Sequence, residues 1–382
     1  MVETFPLEVV DLVIRRLNLN NRAERRAIGH CGLVCLDWCR SSRLHLFSEV
    51  TLSDSNIPAF LEVIANSAYP IRTFVRRLCL ALARPGANLD QLIGRLGPLP
   101  AVTALRCLLH PKLVFLDHIT RLASICPALT HLTLANPEFS YRYEQSELPP
   151  RYLTQNPLPM HFALDAIQRF PSLTYLALHH VELHHSEGAM YRFPIQLKTL
   201  DLQLHRSFLE EFFKNTLYMN TIPVFSSLYL LGVSPTPDTF TGKYLCYVGD
   251  RLRRLRLDMR SLHLSGTCVE VLQFCTGLRD LDLQAVALSP DTLLSQILPS
   301  LHCPNLTHIT FADSHEFGGG YYSRDLFRLW GQVDDVLATN QFRGLLRFSI
   351  VSRSALVERI PEFMPRSRAR RILQVATSER RS

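Results

Sequence analysis

The chain has 382 residues, 47% of them hydrophobic and 20% charged, a balance that supports a sizeable core and excludes a disordered polymer. Its formal charge of +7 is diffuse except for a run at Arg366, Arg368, Arg370 and Arg371, and acidic residues interrupt the basic ones, so no nucleic-acid partner is expected. No stretch of about 18 apolar residues occurs, so no membrane partner is expected; MVETFPLEVV has neither the basic nor the apolar region of a secretory leader, and the expected compartment is cytoplasmic or nuclear.

Residues 1–46 form the first expected unit. FPLEVVDLVIRRL predicts a helix, with Thr4 as its cap and Pro6 near its first position. Leu7, Val10, Val13, Ile14 and Leu17 fall along one face of it. After a polar stretch, CGLVCLDWCRSSRLHLF predicts a last helix with Cys31, Val34, Cys35, Trp38 and Ser42 on one face. So small a unit holds little core and has to pack on the neighbouring segment, on a partner, or on both.

From Phe47 onward a different pattern begins: apolar, two free positions, apolar, one free position, apolar. Its middle residues are Val50, Leu78, Leu105, Leu132, Leu176, Leu200, Leu228, Leu255, Leu281, Ile309 and Phe348. They recur roughly every 27 residues, with two longer intervals of about 44 and 39. Alternate side chains of a strand share a face, so the last two apolar positions of each unit point into a core and the residues between them onto an exposed sheet. The stretch between strands holds a turn and a helix, as in Leu116, Ile119, Leu122 and Cys126, and again in Leu164, Ile167 and Phe170. Prolines at Pro127, Pro171 and Pro304 end several helices before the next strand.

One strand-and-helix unit cannot bury its own apolar edge, whereas a stack of them can. Period and pattern together resemble the leucine-rich-repeat proteins. The resemblance implies an α/β solenoid over residues 47–360, a horseshoe with parallel strands inside and helices outside. The asparagine that the family carries three residues past the last leucine is missing, since Leu134 is followed by Ala135, Asn136 and Pro137. The two long intervals are read as insertions. One, near 137–160, is rich in proline, tyrosine and charge. The other, near 314–341, opens on a turn at Gly318, Gly319 and Gly320 and continues as a longer helix through Leu326, Leu329, Trp330, Val333 and Leu337. Residues 361–382 are expected to be a solvated basic tail.

The N-terminal segment has a resemblance of its own. Proline-leucine-glutamate, an apolar helix and then leucine-valine-cysteine-x-x-tryptophan resemble the F-box, as found in many fungal F-box proteins, over about Phe5 to Phe47. Pro6, Leu7, Val10, Ile14 and Leu17 match its first helix, and Leu33, Val34, Cys35 and Trp38 its last. The chain departs from the pattern at Leu36 and Asp37, where the family often has arginine or lysine. The resemblance implies that these residues dock on a Skp-type adaptor and through it on a cullin. The repeats would then recruit a protein substrate to an SCF-type (cullin–RING) ubiquitin ligase. The competing reading is a leucine-rich-repeat scaffold without a ligase role, its first helices capping the first repeat.

No catalytic motif is present: no G-x-S-x-G elbow, H-E-x-x-H, P-loop or dinucleotide fingerprint, so the chain is expected to be non-catalytic and free of cofactors. Cys31, Cys35 and Cys39 lack the paired spacing of a zinc site, and the ten cysteines are expected to be reduced thiols. His179, His180, His184 and His185 cluster, but neighbours on a strand point to opposite faces, and no metal is expected. The exposed sheet positions expected to meet a substrate are Tyr175, His179, Asp201, Tyr229, Arg254, Arg256, Asp280 and Asp282. Arg254 and Arg256 should lie beside Asp280 and Asp282 on the neighbouring strand, at about 4.8 Å. They either neutralise one another on a solvated surface or form a mixed-charge site flanked by tyrosines.

Overall fold

The structure is a computed structural model. It describes residues 7–17, 21–67, 70–82, 89–109, 116–135, 158–159, 167–179, 181, 183–184, 193–204, 206–219, 221–231, 235–258, 270–284, 290–313, 324–352 and 355–377. The chain divides into two compact units, Met1–Gln196 and Leu197–Ser382.

The first unit begins with three helices, α1 (Leu7–Arg16), α2 (Arg22–Cys31) and α3 (Leu36–Ser48). Val10, Ile14 and Ile28 are buried between them, and Leu17, Cys31, Trp38 and Leu46 pack against that cluster. Asn21 caps α2 by accepting from the Ala23 amide at 2.9 Å. Asp11 ties α1 to α3, accepting from the Ser41 hydroxyl at 3.1 Å and meeting His45 Nε2 at 2.8 Å. The last helix is shorter than the sequence suggests. Gly32 closes α2 and Cys35, extended at φ −161°, stands at the start of α3. Leu33, Val34 and Cys35 therefore occupy a turn between helices rather than a helix face.

Strands β1 (Glu49–Ser53), β2 (Arg77–Leu82), β3 (Ala104–Leu109), β4 (His131–Ala135) and β6 (Tyr175–His179) come next in parallel, in that order. The short β5 (Leu158–Pro159) pairs with β7 (Leu183–His184). Helices α4 (Ile57–Asn66), α5 (Leu89–Leu96) and α6 (Leu116–Ile125) connect successive strands. The register aligns Val50, Leu78, Leu105, Leu132 and Leu176 in one column and Leu52, Leu80, Cys107, Leu134 and Leu178 in the next. All are buried, as the apolar spacing requires.

The second unit repeats the plan with β8 (Thr199–Gln203), β9 (Ser227–Leu231), β10 (Arg254–Asp258), β11 (Asp280–Gln284), β12 (His308–Asp313), β13 (Arg347–Ser352) and β14 (Leu373–Thr377). All pair in parallel. Here the columns are Leu200, Leu228, Leu255, Leu281, Ile309 and Phe348, and Leu202, Leu230, Leu257, Leu283, Phe311 and Ile350. Helices α7 (Arg206–Leu217), α8 (Phe240–Val248) and α9 (Arg324–Leu337) cover the core. The longer α9 buries Trp330, Val333 and Leu337, as its periodicity predicts. Three glycines are forced by close approach: a Cβ at Gly242 would collide with the Thr236 carbonyl, one at Gly249 with the Phe274 carbonyl and one at Gly277 with the Asp250 carbonyl.

Hydroxyls stand at the strand entries of a chain that lacks the family's asparagine. Thr130 donates to the Thr103 carbonyl at 3.0 Å, Thr174 to Thr130 at 3.2 Å, Ser226 to Lys198 at 3.1 Å and Thr307 to Arg279 at 3.0 Å. Each links a repeat to the one before it.

The expectation of a free basic tail from residue 361 is corrected. Helices Ile360–Phe363 and Pro365–Ala369 lead into β14, which extends the sheet beyond residue 360. Arg370 donates to the carbonyls of Leu337 at 2.6 Å and Phe342 at 3.0 Å, satisfying one acceptor at the end of α9 and one at the end of the short turn Asn340–Phe342 that follows it. Arg366 pairs with Asp335 at 2.8 Å. Much of the first insertion, Leu164, and Gly318, Gly319 and Gly320 lie outside the described residues. Among the described residues no helix is long and apolar enough to cross a membrane.

Asp334, 2% exposed, accepts the amides of Arg366 at 2.8 Å and Ser367 at 2.7 Å and so anchors the C-terminal segment. Asp334→Ala leaves two donors without this acceptor and is expected to cost about 1–3 kcal/mol, read from the urea unfolding midpoint. An unchanged midpoint would show that the segment is held by other contacts.

Candidate functional site

Three surfaces carry the residues singled out from the sequence. The first is the N-terminal helical unit. Pro6 lies outside the described residues, and Leu7 opens α1. Val10 and Ile14 are interior, so they build the unit and do not present a surface. Leu17 and Trp38 are half-buried against that core. The turn that begins at Gly32 exposes Leu33 (83%), Val34 (65%) and Leu36 (77%), and Cys35 with them. Val9, Leu12 and Val13 are exposed on α1. The motif does not single out Val9, Leu12 or Leu36; the signal available in the sequence is that α1 is apolar on more than the face its core needs.

The second surface is the sheet face of the first unit. His131 and Tyr175 are register partners and stack with ring centroids 5.5 Å apart. His179 stands at the end of β6 opposite Ala135. Arg77 and Glu49 pair at 2.8 Å.

The third is the sheet face of the second unit. One row runs Asp201, Tyr229, Arg256, Asp282 and Thr310 across β8 to β12. The row beside it sets Arg254 opposite Asp280 and Asp280 opposite His308. Arg254 Nε meets Asp280 Oδ2 at 2.9 Å, and Arg256 Nε meets Asp282 Oδ2 at 3.4 Å. His308 Nδ1 lies 2.8 Å from Asp280 Oδ1. Gln284 donates to Asp282 Oδ2 at 3.1 Å. Of the residues expected to meet a substrate, Tyr175 and His179 thus belong to the first unit and the other six to the second, where they interleave in two rows. Burial pushes the Asp282 carboxyl above the usual carboxylate range, opposed by the Arg256 guanidinium and the Gln284 amide. The Arg254 pair is exposed, and ion pairs of that kind contribute about 0–1 kcal/mol. Their main effect is to orient the side chains on the face.

The cysteines at intervals of four do not share a helix: Cys31 ends α2, Cys35 precedes α3 and Cys39 lies within it. Among the described residues no group of three potential ligands could hold a metal ion. His180 and His185 lie outside the described residues. Cys107, Cys126, Cys275 and Cys303 are buried free thiols. Burial drives Cys107 and Cys275 strongly upward, Cys126 up to about 12 and Cys303 up to about 11.

Parallel strands in leucine columns, several of them joined by a described helix, give this chain the fold of a leucine-rich-repeat protein, with a helical N-terminal unit. No family model matches the chain, and no curated protein matches it. Among solved structures it is similar to the leucine-rich-repeat-containing protein LegL7 of Legionella pneumophila, at 17% identity, covering 73% of this chain and 96% of that one with a TM-score of 0.37. It is also similar to a protein of Bacteroides fragilis, at 11% identity, covering 86% and 73% with a TM-score of 0.34. The architecture is defined by the chain's own register.

These environments set two expected outcomes. A thiol reagent is expected to modify Cys35 in the native protein, and Cys107, Cys126, Cys275 and Cys303 only after unfolding; native labelling of those four would contradict their burial. The raised Asp282 pKa means that the native state binds this proton more tightly than the unfolded state. Its contribution to stability is therefore full at low pH and is lost as pH rises through the raised value. Asp282→Asn cannot titrate, so it should gain stability relative to wild type as pH rises from below the ordinary carboxylate range to neutrality. Urea midpoints across that range check this, and a pH-independent difference would count against it.

Proposed function

We propose that this chain is a protein-interaction scaffold that serves as the substrate-recognition subunit of an SCF-type ubiquitin ligase. Its N-terminal helices dock on a Skp-type adaptor and its repeats bind a protein substrate. The observation that carries this reading is the exposure of Leu33, Val34 and Leu36 on a unit whose own core is already filled by Val10, Ile14 and Ile28. Burying a leucine or valine side chain fully contributes about 1.5–3 kcal/mol, so a groove that accepts these three gains a substantial anchor. Pro6, Leu7, Val34, Cys35 and Trp38 supply the sequence resemblance to the F-box.

The joint to the repeats supports the same reading. The last residue of α3 is Ser48 and the first of β1 is Glu49, and the Arg76 amide donates to the Ser48 carbonyl at 2.9 Å. A hydrogen-bonded joint with no linker holds the adaptor at a fixed distance from the partner of the repeats. Positioning of that kind is the contribution such a subunit makes to catalysis carried out elsewhere. The same hydrogen bond also favours a second reading, in which the helices cap the first repeat and no ligase is involved.

Leu33→Asp combined with Leu36→Asp separates the two. Capture of a Skp-type adaptor is expected to be lost while the melting temperature stays near that of wild type, because both positions are exposed. Capture that survives the double substitution would defeat the ligase reading and leave the cap.

A further inference from the structure

The second unit has a charged margin where its strands begin. Backbone bonds run along it rung by rung. The Ser226 amide donates to the Lys198 carbonyl, Arg253 to Ser226, Arg279 to Arg253, Thr307 to Arg279 and Leu346 to Thr307, each at 2.8 Å. The next residues inward are Thr199, Ser227, Arg254, Asp280, His308 and Arg347. These two rows hold Lys198, Arg253, Arg254, Arg279 and Arg347 against the single carboxylate of Asp280, which Arg254 and His308 already engage. Lys198, Arg279 and Arg347 are exposed and make no ion pair among the described residues. Arg253 is exposed too, its guanidinium held in place by the Gly277 carbonyl at 3.0 Å. The corresponding rows of the first unit carry Ser48, Arg76, Thr103, Thr130 and Thr174, then Glu49, Arg77, Ala104, His131 and Tyr175, with Arg77 paired to Glu49, so the larger excess of cations is local to the second unit.

We propose that this strand-entry rim binds an acidic, carboxylate-rich segment of a protein partner, laid across the strands. The proposal rests on the reading of the repeats as a protein-binding surface and names the class of partner they take. Charge complementarity selects that occupant. From β8 to β13 the rim spans about 24 Å at the usual strand spacing of about 4.8 Å, the length of about seven extended residues. Its cations stand on separate rungs rather than converging on one point. That distribution suits several carboxylates along a chain better than one phosphate, which draws multiple donors to a single centre. Arg254 holding Asp280 at 2.9 Å shows the pairing the rim favours. No aromatic side chain occupies these two rows apart from the His308 imidazole, already engaged by Asp280, so the rim lacks the stacking platform that single-stranded nucleic acid uses. Leu346, 66% exposed at the β13 end, gives an apolar contact for one residue of the segment.

Binding of a fluorescein-labelled glutamate-rich peptide to the full chain, read by polarisation, tests this. Wild type should bind with an affinity that falls as salt rises. Arg279→Glu and Arg347→Glu should each weaken binding roughly tenfold, with unchanged melting temperature, whereas Arg77→Glu on the first unit should not. No binding, or binding indifferent to both rim substitutions, overturns the proposal. So does binding only of a phosphoserine version of the peptide, or a preference for oligouridylate at the same rim. The peptide assay contains no adaptor, and the rim variants should still capture one. Failure here therefore reads differently from failure of the ligase reading.

Discussion

Everything on the faces of this protein depends on one repeated hydrogen-bonding arrangement, the carbonyl that precedes each strand. The Arg253 carbonyl accepts the amides of both Arg279 and Asp280, and the Arg279 carbonyl those of both Thr307 and His308. The same pattern recurs in the first unit, where the Thr103 carbonyl takes Thr130 and His131, and the Thr130 carbonyl takes Thr174 and Tyr175. This double acceptance fixes where β3, β4, β6 and β9 to β13 start. A one-residue slip would turn every leucine outward and every polar partner inward, so the apolar columns and the entry carbonyls enforce the same register. Where threonine or serine adds its hydroxyl to that carbonyl, the joint between repeats gains a further bond.

A fixed register converts a linear pattern into surface chemistry. Because Leu255 and Leu257 must face the core, Arg254 and Arg256 must face outward, and the period of about 27 residues sets Asp280 and Asp282 beside them. The exposed positions are then free to carry charge without disturbing the fold. In the second unit they are sorted along the strands. The entry rows hold five cations against the one carboxylate of Asp280, while the row further in alternates Asp201, Arg256 and Asp282. Solvated ion pairs alone do not require such sorting, since alternating charges at the same rung would neutralise equally well.

How much of this is legible in the sequence is a matter of range. The repeat is a property of spacing within each unit, so the eleven strands from β1 to β13 that carry it, their order and the Arg254–Asp280 neighbourhood can be read from the spacing, whereas β5, β7 and β14 cannot. The turn at Leu33 to Cys35 cannot, because the apolar spacing of CGLVCLDWC continues through Gly32, while the backbone does not. Val10 and Ile14 look like contact residues because a helix with apolar residues on several faces does not say which one meets its neighbours. The C-terminal arginines look like a tail because the carbonyls that hold Arg370, those of Leu337 and Phe342, lie about 30 residues upstream and matter only when α9 has an end to be satisfied. The sorting of charge along the rim emerges only once the rungs are aligned.

The first helices and the last described segment border the repeats with different chemistry. A stack of repeats needs an end unit that covers its apolar column and offers a polar outer side. The C-terminal segment is anchored on the repeat before it. Asp334 receives two amides, Arg370 closes one acceptor at the end of α9 and one in the turn after it, and β14 places Gln374, Ala376 and Thr377 in solvent. The N-terminal unit has its own small core and its own polar lock at Asp11, yet leaves Leu33, Val34 and Leu36 uncovered. For a cap those three side chains are a liability, since polar residues in the same turn would cover the first repeat equally well and remain soluble. Their exposure beside a completed core is what supports the proposed docking of these helices on a partner.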